Sequence, residues 1–289
     1  MNLDDLLFDK FLRDETRLFH GCDRTEDLNP SVIKYAIEMQ FWALRGHLLD
    51  ELSRSVLLAS EVQTVGASHY LRFGVGRRLS SIWRAYRKLM SIAPPDRNEP
   101  LTCEEADELT DDLNSLYMNI RGTMDNLAWA LLLEHAPEAL DTYRKKHKGR
   151  DPLVALLPEM FEGQAHFPEL LNTLECHKAW AHDFKSRRDP VAHRIPLYIP
   201  AQVLTPAEAS EYKENMTQFW VANADRDFGT REEIKEKVAR LGRFVPLFVL
   251  EPDQNPMPIY PTVSDDIAHL VTIFWTIDTY FQGRRSVAE

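Results

Sequence analysis

The sequence predicts an all-α fold, an up-and-down bundle of four to five long helices with a segment inserted before the last one. Three features support this: long stretches with apolar residues every three or four positions, helix-start signals before several of them, and only one short β-like segment. Of the 289 residues, 44% are hydrophobic and 27% charged, as is typical of globular proteins. We expect one domain over residues 1–289, with the insertion at 201–262.

The first two long helices are predicted from their periodicity. Asn29 and Pro30 fit an N-cap and a first helical position, and apolar residues follow at helical spacing to about residue 62. A second helix is predicted over about residues 67–92, with arginines away from its apolar side. Its run Gly74–Arg78 is not a phosphate-binding loop, because it lacks the Lys-Ser/Thr ending and does not follow a strand.

The next two helices have clear start signals. Thr102 and Glu105 have the spacing of a capping box, which predicts a helix that continues past Glu134. Pro168 begins a fourth helix, which we expect to end at Arg188. The stretch between these two helices is predicted to hold short helices and loop.

The C-terminal third mixes helical and extended segments. Prolines make residues 195–200 extended, and Thr205 begins a helix that reaches about Ala222. Residues 244–250 are rich in β-branched and aromatic residues and, with residues 257–260, predict a small edge hairpin. Ser264 is predicted to cap the last helix.

Composition and charge exclude several classes of protein. A net charge of −11 argues against a general nucleic-acid coat, because binding to phosphates needs a positive surface. The three cysteines are far apart, which indicates a reducing compartment rather than a disulfide framework. The acidic N-terminus does not resemble a signal peptide, and no apolar run approaches the roughly 20 residues of a membrane span. We therefore expect a cytoplasmic protein without a membrane partner.

The strongest candidate site lies at Arg188–His193. Asp189 is a good N-cap, and Pro190 suits the first position of a helix while it disfavours helical backbone at the residue before it. The sequence therefore predicts that one helix ends near Arg188 and a new turn begins at Pro190. Such a break would direct Arg188 and His193 into one small volume. A guanidinium there would bind phosphate, and an imidazole beside it would act as acid or base.

This segment resembles the signature of the HEPN superfamily of helical-bundle proteins. That signature is an arginine, four to six residues and a histidine, and the residue after the arginine is usually polar, as Asp189 is. Residues 120–129 also resemble a helix of some bacterial members in which an arginine and an aspartate, here Arg121 and Asp125, are separated by three residues. The resemblance covers roughly residues 30–200 and the last helix, and residues 201–262 have no counterpart.

The resemblance implies a metal-independent endoribonuclease, which acts as a homodimer with the motifs of both chains facing across the interface. His193 would be the general base on the ribose 2′-hydroxyl or the acid at the leaving 5′-oxygen, and Arg188 would hold the scissile phosphate. Asp189 would orient the site or only cap the turn. A toxin or antiviral effector that meets an antitoxin or another partner protein would fit this activity. We expect no cofactor and no metal.

Other charged residues have a supporting role in this hypothesis. Arg121 and Asp125 lie four positions apart and share one helix face, either as a structural ion pair or as a pair that orients Arg188 or His193. Lys185, Arg187 and Arg194 would steer RNA or remain solvated.

Three hypotheses remain open. The chain is a HEPN-type endoribonuclease, a non-catalytic HEPN-like module that binds a nucleotide or a protein, or a helical interaction protein unrelated to the family. A zinc site at His177 and His182 is not expected, because residues five positions apart on a helix point in different directions.

Overall fold

The computed structural model describes residues 2–20, 29–148, 167–193, 195–250 and 255–285, and these are mostly helical. The all-α prediction is confirmed. The α-helices are α1 (Phe8–His20), α2 (Pro30–Glu61), α3 (Val65–His69), α4 (Gly76–Ile92), α5 (Cys103–His135), α6 (Pro137–Lys146), α7 (Pro168–Leu174), α8 (Lys178–His193), α9 (Pro206–Ala224), α10 (Phe228–Ala239) and α11 (Thr262–Arg285). The prediction of only four to five helices is wrong, since α1 and α10 were not predicted and two predicted helices are interrupted.

The longest helices begin where the sequence predicts. The Asn29 side chain accepts a hydrogen bond from the Ser31 amide at 3.0 Å, and Pro30 follows it at the start of α2. Before α5, the Glu105 amide donates to the Thr102 hydroxyl at 3.1 Å, and the Thr102 amide donates to the Glu105 carboxylate at 2.9 Å. Local capping chemistry therefore fixes both starting points.

The start of α11 differs from the prediction. The helix begins at Thr262, so Ser264 lies inside it rather than at its cap. Ser264 is fully buried, and its hydroxyl lies 2.8 Å from the Tyr86 hydroxyl of α4. A tertiary hydrogen bond between two buried hydroxyls therefore takes the place of the predicted local one.

A π-helical segment over Tyr70–Val75 joins α3 to α4. The helical periodicity in the sequence predicts this region as one continuous α-helix and does not reveal the π turn. Leu71 and Val75 are fully buried on the inner side of the segment. Segments of this kind are rare and occur frequently at functional sites, because the extra residue per turn changes which side chains line up.

The hydrophobic core lies around α5, which packs against α4, the π segment, α8 and α11, while α2 packs against α1, α4 and α11. Its largest fully buried side chains include Tyr86, Tyr117, Phe184, Phe248 and Phe274. None of the helices in the described ranges combines the length and the apolar character that crossing a membrane requires.

The described residues between 201 and 261 form α9, α10 and a two-stranded antiparallel sheet of β1 (Leu247–Phe248) and β2 (Met257–Pro258). The predicted small hairpin is therefore confirmed. The base of this segment joins the bundle, because the Phe244 amide donates to the Asn98 carbonyl at 2.8 Å. Phe244 and Phe248 are buried in the same core as the long helices.

Candidate functional site

Helix α8 runs without interruption from Lys178 to His193, with Pro190 inside it. The predicted helix break after Arg188 is therefore wrong. The Asp189 carboxylate does not serve as a new N-cap and instead pairs with the Arg188 guanidinium at 2.8 Å. Pro190 is buried. Packing of the continuing helix offsets the loss of one backbone hydrogen bond, a cost of about 3 kcal/mol.

The continuous helix changes the relation between Arg188 and His193. Residues five positions apart on an α-helix lie roughly 140° apart around its axis. The two residues therefore do not share a helix face, and the geometric reason for expecting them in one small volume is lost. The His193 side chain lies outside the described part of the structure.

Three of the predicted residues do come together. Arg121 Nε lies 3.0 Å from an oxygen of Asp125, so these residues form the expected ion pair on α5. Burial raises the pKa of Asp125 above its usual value, and the positive charges of Arg121, Arg188 and Arg78 oppose that rise. The positive charge of Arg188 on α8 therefore acts on the Asp125 carboxylate of α5, although the two side chains form no hydrogen bond or ion pair with each other. Arg188 Nε is buried and has no hydrogen-bond partner among the described residues.

Arg187 is not available for RNA, which corrects the prediction for this residue. Only 7% of its surface is exposed, and its guanidinium binds both oxygens of Asp266 on α11, at 3.1 and 2.5 Å. Trp180 Nε1 donates to the same carboxylate at 2.7 Å. Since Trp180, Phe184 and Arg187 follow one another at helical spacing, Arg187 occupies a core-facing position.

Lys185 and Arg194 are the remaining basic residues that the sequence assigns to RNA binding. Lys185 is exposed on α8, and Arg194 lies outside the described residues.

His177, which we set aside as a zinc ligand, is buried, and its Nδ1 lies 2.8 Å from Nδ1 of His269. The His269 ring stacks on Trp180 with an interplanar angle of 4°. These side chains therefore belong to a buried polar cluster between α8 and α11.

The structure also contains a groove that the sequence did not predict as a site. It lies between the π segment with α4 and the facing side of α5, and its volume is about 420 Å³. We call it the π groove; its lining residues are His69, Tyr70, Phe73, Gly74, Arg77, Arg78, Ser81, Asn119 and Asn126. The only sequence signal was the run Gly74–Arg78, in which two glycines and two arginines interrupt an amphipathic helix.

Two glycines allow the helices to approach each other at the π groove. A Cβ at Gly122 would lie 2.3 Å from the Arg78 guanidinium carbon, so Arg78 lies directly against the α5 backbone. A Cβ at Gly74 would lie 2.7 Å from the Asn126 amide group. Arg78 Nη1 also donates to Asn119 Oδ1 at 3.3 Å. Arg78 therefore lies between the groove and the backbone of α5, where its charge acts on the Asp125 carboxylate.

Comparisons with known proteins do not identify a family. No protein-family model, no curated protein sequence and no solved structure matches the chain significantly. Within the described ranges, no group of three or more His, Cys, Asp or Glu side chains could hold a metal ion. The arginines and the π groove are therefore the features from which a function can be inferred.

Replacement of Arg187 tests its structural role. We expect Arg187→Met to lower the free energy of unfolding by about 3–5 kcal/mol, because Asp266 would remain buried without its cation. Lys185→Met, on the exposed side of the same helix, should change it by less than about 0.5 kcal/mol. Urea denaturation measures both, and equal small effects would contradict the assigned role of Arg187.

The buried histidines predict a loss of stability in acid. Burial lowers the pKa of His177 to about 4 and that of His269 to about 3, whereas the unfolded chain protonates near 6.5. Between about pH 3 and pH 6.5 the unfolded state therefore binds more protons than the folded state. The free energy of unfolding decreases for this reason as the pH falls through that range. Thermal unfolding between pH 7 and pH 4 measures this decrease.

The control for this prediction is the double variant His177→Leu/His269→Phe. Burial raises the pKa of Asp265 to about 6 and that of Glu51 to about 8. Protonation of these two carboxyl groups stabilises the folded state in acid, but it does so equally in the wild type and in the double variant. The difference in unfolding free energy between wild type and variant should therefore shrink as the pH falls. A difference that is constant with pH would contradict the prediction.

Proposed function

We propose that this chain is a non-catalytic, HEPN-like helical module that binds a nucleotide through its phosphate. The observation that carries the proposal is that three arginines, Arg78, Arg121 and Arg188, lie near enough to the half-buried carboxylate of Asp125 for their positive charges to act on it. Arginine forms charge-assisted, often bidentate hydrogen bonds with phosphate, and a preformed cluster of guanidiniums suits that role.

The local charge balance supports an anionic ligand. Arg121 pairs with Asp125 and Arg188 pairs with Asp189, whereas neither Arg77 nor Arg78 forms an ion pair with a described carboxylate. Among the residues that the structure describes, two carboxylates form ion pairs with these four arginines. The buried Arg188 Nε lacks a partner among the described residues, so the pair with Asp189 leaves part of the hydrogen-bonding capacity of this guanidinium unused.

Endoribonuclease activity is the second candidate, and it retains only the spacing of the HEPN-like motif as support. The proposed chemistry needs the imidazole of His193 within hydrogen-bond reach of a phosphate held by Arg188. A continuous α8 separates these residues around the helix axis, which disfavours that arrangement within one chain. We therefore favour binding without cleavage, and the roles of toxin or antiviral effector depend on the less favoured activity.

Replacement of Arg188 tests phosphate binding. Arg188→Gln should weaken the binding of ribose 5-phosphate and of nucleoside monophosphates by about 10- to 100-fold, because it removes charge-assisted hydrogen bonds of about 1.5–3 kcal/mol. Isothermal titration calorimetry measures the dissociation constants. Arg240→Gln, on the exposed surface of α10, is the control and should leave them unchanged. If Arg188→Gln binds as tightly as the wild type, the proposal fails.

A second variant displaces Arg78 without removing it. Gly122→Ala places a methyl group where the Arg78 guanidinium lies, and the flexible end of that side chain can move aside. We expect a similar loss of phosphate affinity with little change in melting temperature. Gly46→Ala on α2, where a Cβ meets no atom within 4 Å, is the matched control.

The absence of cleavage is itself testable. Single-stranded RNA incubated with the wild-type chain and a chelator should remain intact, to the same extent as with His193→Ala, on a denaturing gel. Metal-independent cleavage by the wild type that His193→Ala abolishes would support the endoribonuclease instead.

The sequence also implies a homodimer, a partner protein and a cytoplasmic location, and these three remain predictions. Light scattering of the purified wild-type chain determines its mass in solution directly, and a mass of one chain, 33.5 kDa, would contradict the dimer.

A further inference from the structure

We propose that the π groove binds the nucleobase of the nucleotide whose phosphate the arginine cluster holds. The inference rests on the proposed function and specifies its ligand as a nucleoside monophosphate. It comes from the composition of the groove, which places aromatic rings, side-chain amides and a phosphate-binding arginine side by side.

One wall of the π groove consists of planar side chains. The rings of His69 and Phe73 lie 5.1 Å apart, and the Arg77 guanidinium lies 4.9 Å from the Phe73 ring centre. These residues recur every four positions, and the wider π turn aligns such a row along the helix. Phe73 is 43% exposed, so a flat ligand can stack against this wall, as unstacked bases do on aromatic and guanidinium groups.

The opposite wall offers the side-chain amide of Asn126, whereas the Asn119 amide already donates to the Ser115 carbonyl at 2.7 Å and accepts from Arg78. Asn119 and Asn126 lie seven positions apart on α5 and therefore on the same face. The Asn126 side-chain amide lies against Gly74 and makes no hydrogen bond to a described residue. An amide presents a donor and an acceptor together, which is the pattern that the edge of a nucleobase complements.

Arg78 joins this site to the phosphate site. Its guanidinium lines the groove and lies against Gly122. It donates a hydrogen bond to Asn119, and its positive charge opposes the rise in the pKa of Asp125. A ligand with its base against Phe73 and its phosphate at Arg78 therefore lies in one continuous depression. The volume of about 420 Å³ falls within the range of small-molecule sites.

Calorimetry with two kinds of probe separates the base from the phosphate. AMP, GMP, CMP and UMP share their sugar phosphate with ribose 5-phosphate, which lacks a base. At least one of the four should bind the wild-type chain about 5- to 100-fold more tightly than ribose 5-phosphate, as expected for stacking of one base. Phe73→Ala should abolish that difference and leave the affinity for ribose 5-phosphate unchanged.

The chain supplies a matched control in Phe228→Ala. Phe228 is 61% exposed on α10, and the Arg231 guanidinium lies 4.9 Å from its ring centre, as Arg77 does from Phe73. This variant should retain the difference between the nucleotides and ribose 5-phosphate. Because both phenylalanines are exposed, neither variant should change the melting temperature by more than about 2 °C.

The outcomes distinguish the two proposals. If ribose 5-phosphate binds but no base adds affinity, or if Phe73→Ala retains the difference, the nucleobase site is overturned while the phosphate site stands. If no probe binds the wild-type chain, the proposed function fails and the nucleobase site fails with it.

Discussion

The buried ion pair between Arg187 and Asp266 determines how α8 sits in the molecule. Both side chains are almost completely buried, and the carboxylate also accepts a hydrogen bond from Trp180. A charge in the core is tolerated only when it is paired and hydrogen-bonded, so α8 cannot rotate without exposing one of these groups to an apolar environment. Because neighbouring residues on an α-helix differ by about 100°, holding Arg187 towards α11 turns Arg188 towards α5. The position of Arg188 near Asp125 is therefore a consequence of the core contact between Arg187 and Asp266.

The polar cluster around Asp266 also specifies the register between α8 and α11. Apolar side chains tolerate small sliding movements, whereas the Asp266 carboxylate must meet both Arg187 and Trp180, and the ring of His269 must meet both Trp180 and His177. Fully satisfied networks of this kind favour one arrangement over its neighbours. Burial within the same cluster lowers the pKa of both histidines, and for His269 the neighbouring His177 ring, whose Nδ1 lies 2.8 Å away, lowers it further.

Local signals in the sequence predicted the beginnings of helices well, because a cap depends on residues within one turn. Asn29, Thr102 and Thr205 all serve as the predicted caps. The break at Pro190 was wrong because the local preference of a proline is weaker than burial of the helix that contains it. The π groove could not be predicted, since it depends on the register between α4 and α5. The buried position of Arg187 could have been predicted from the sequence, because Arg187 continues the inward-facing row of Trp180 and Phe184 on α8.

Charge explains why a small ligand suits this chain better than a long nucleic acid. The net charge is −11, so an extended strand of phosphates would meet repulsion over most of the surface, whereas binding to polyanions requires many positive contacts. Electrostatic interactions between exposed charges are screened beyond about 8 Å at physiological ionic strength. A single phosphate at the proposed site of Arg78 and Arg188 would therefore experience mainly the local excess of arginine. Recognition of the rest of the proposed ligand would then depend on short-range contacts, which stacking and amide hydrogen bonds in the π groove would supply.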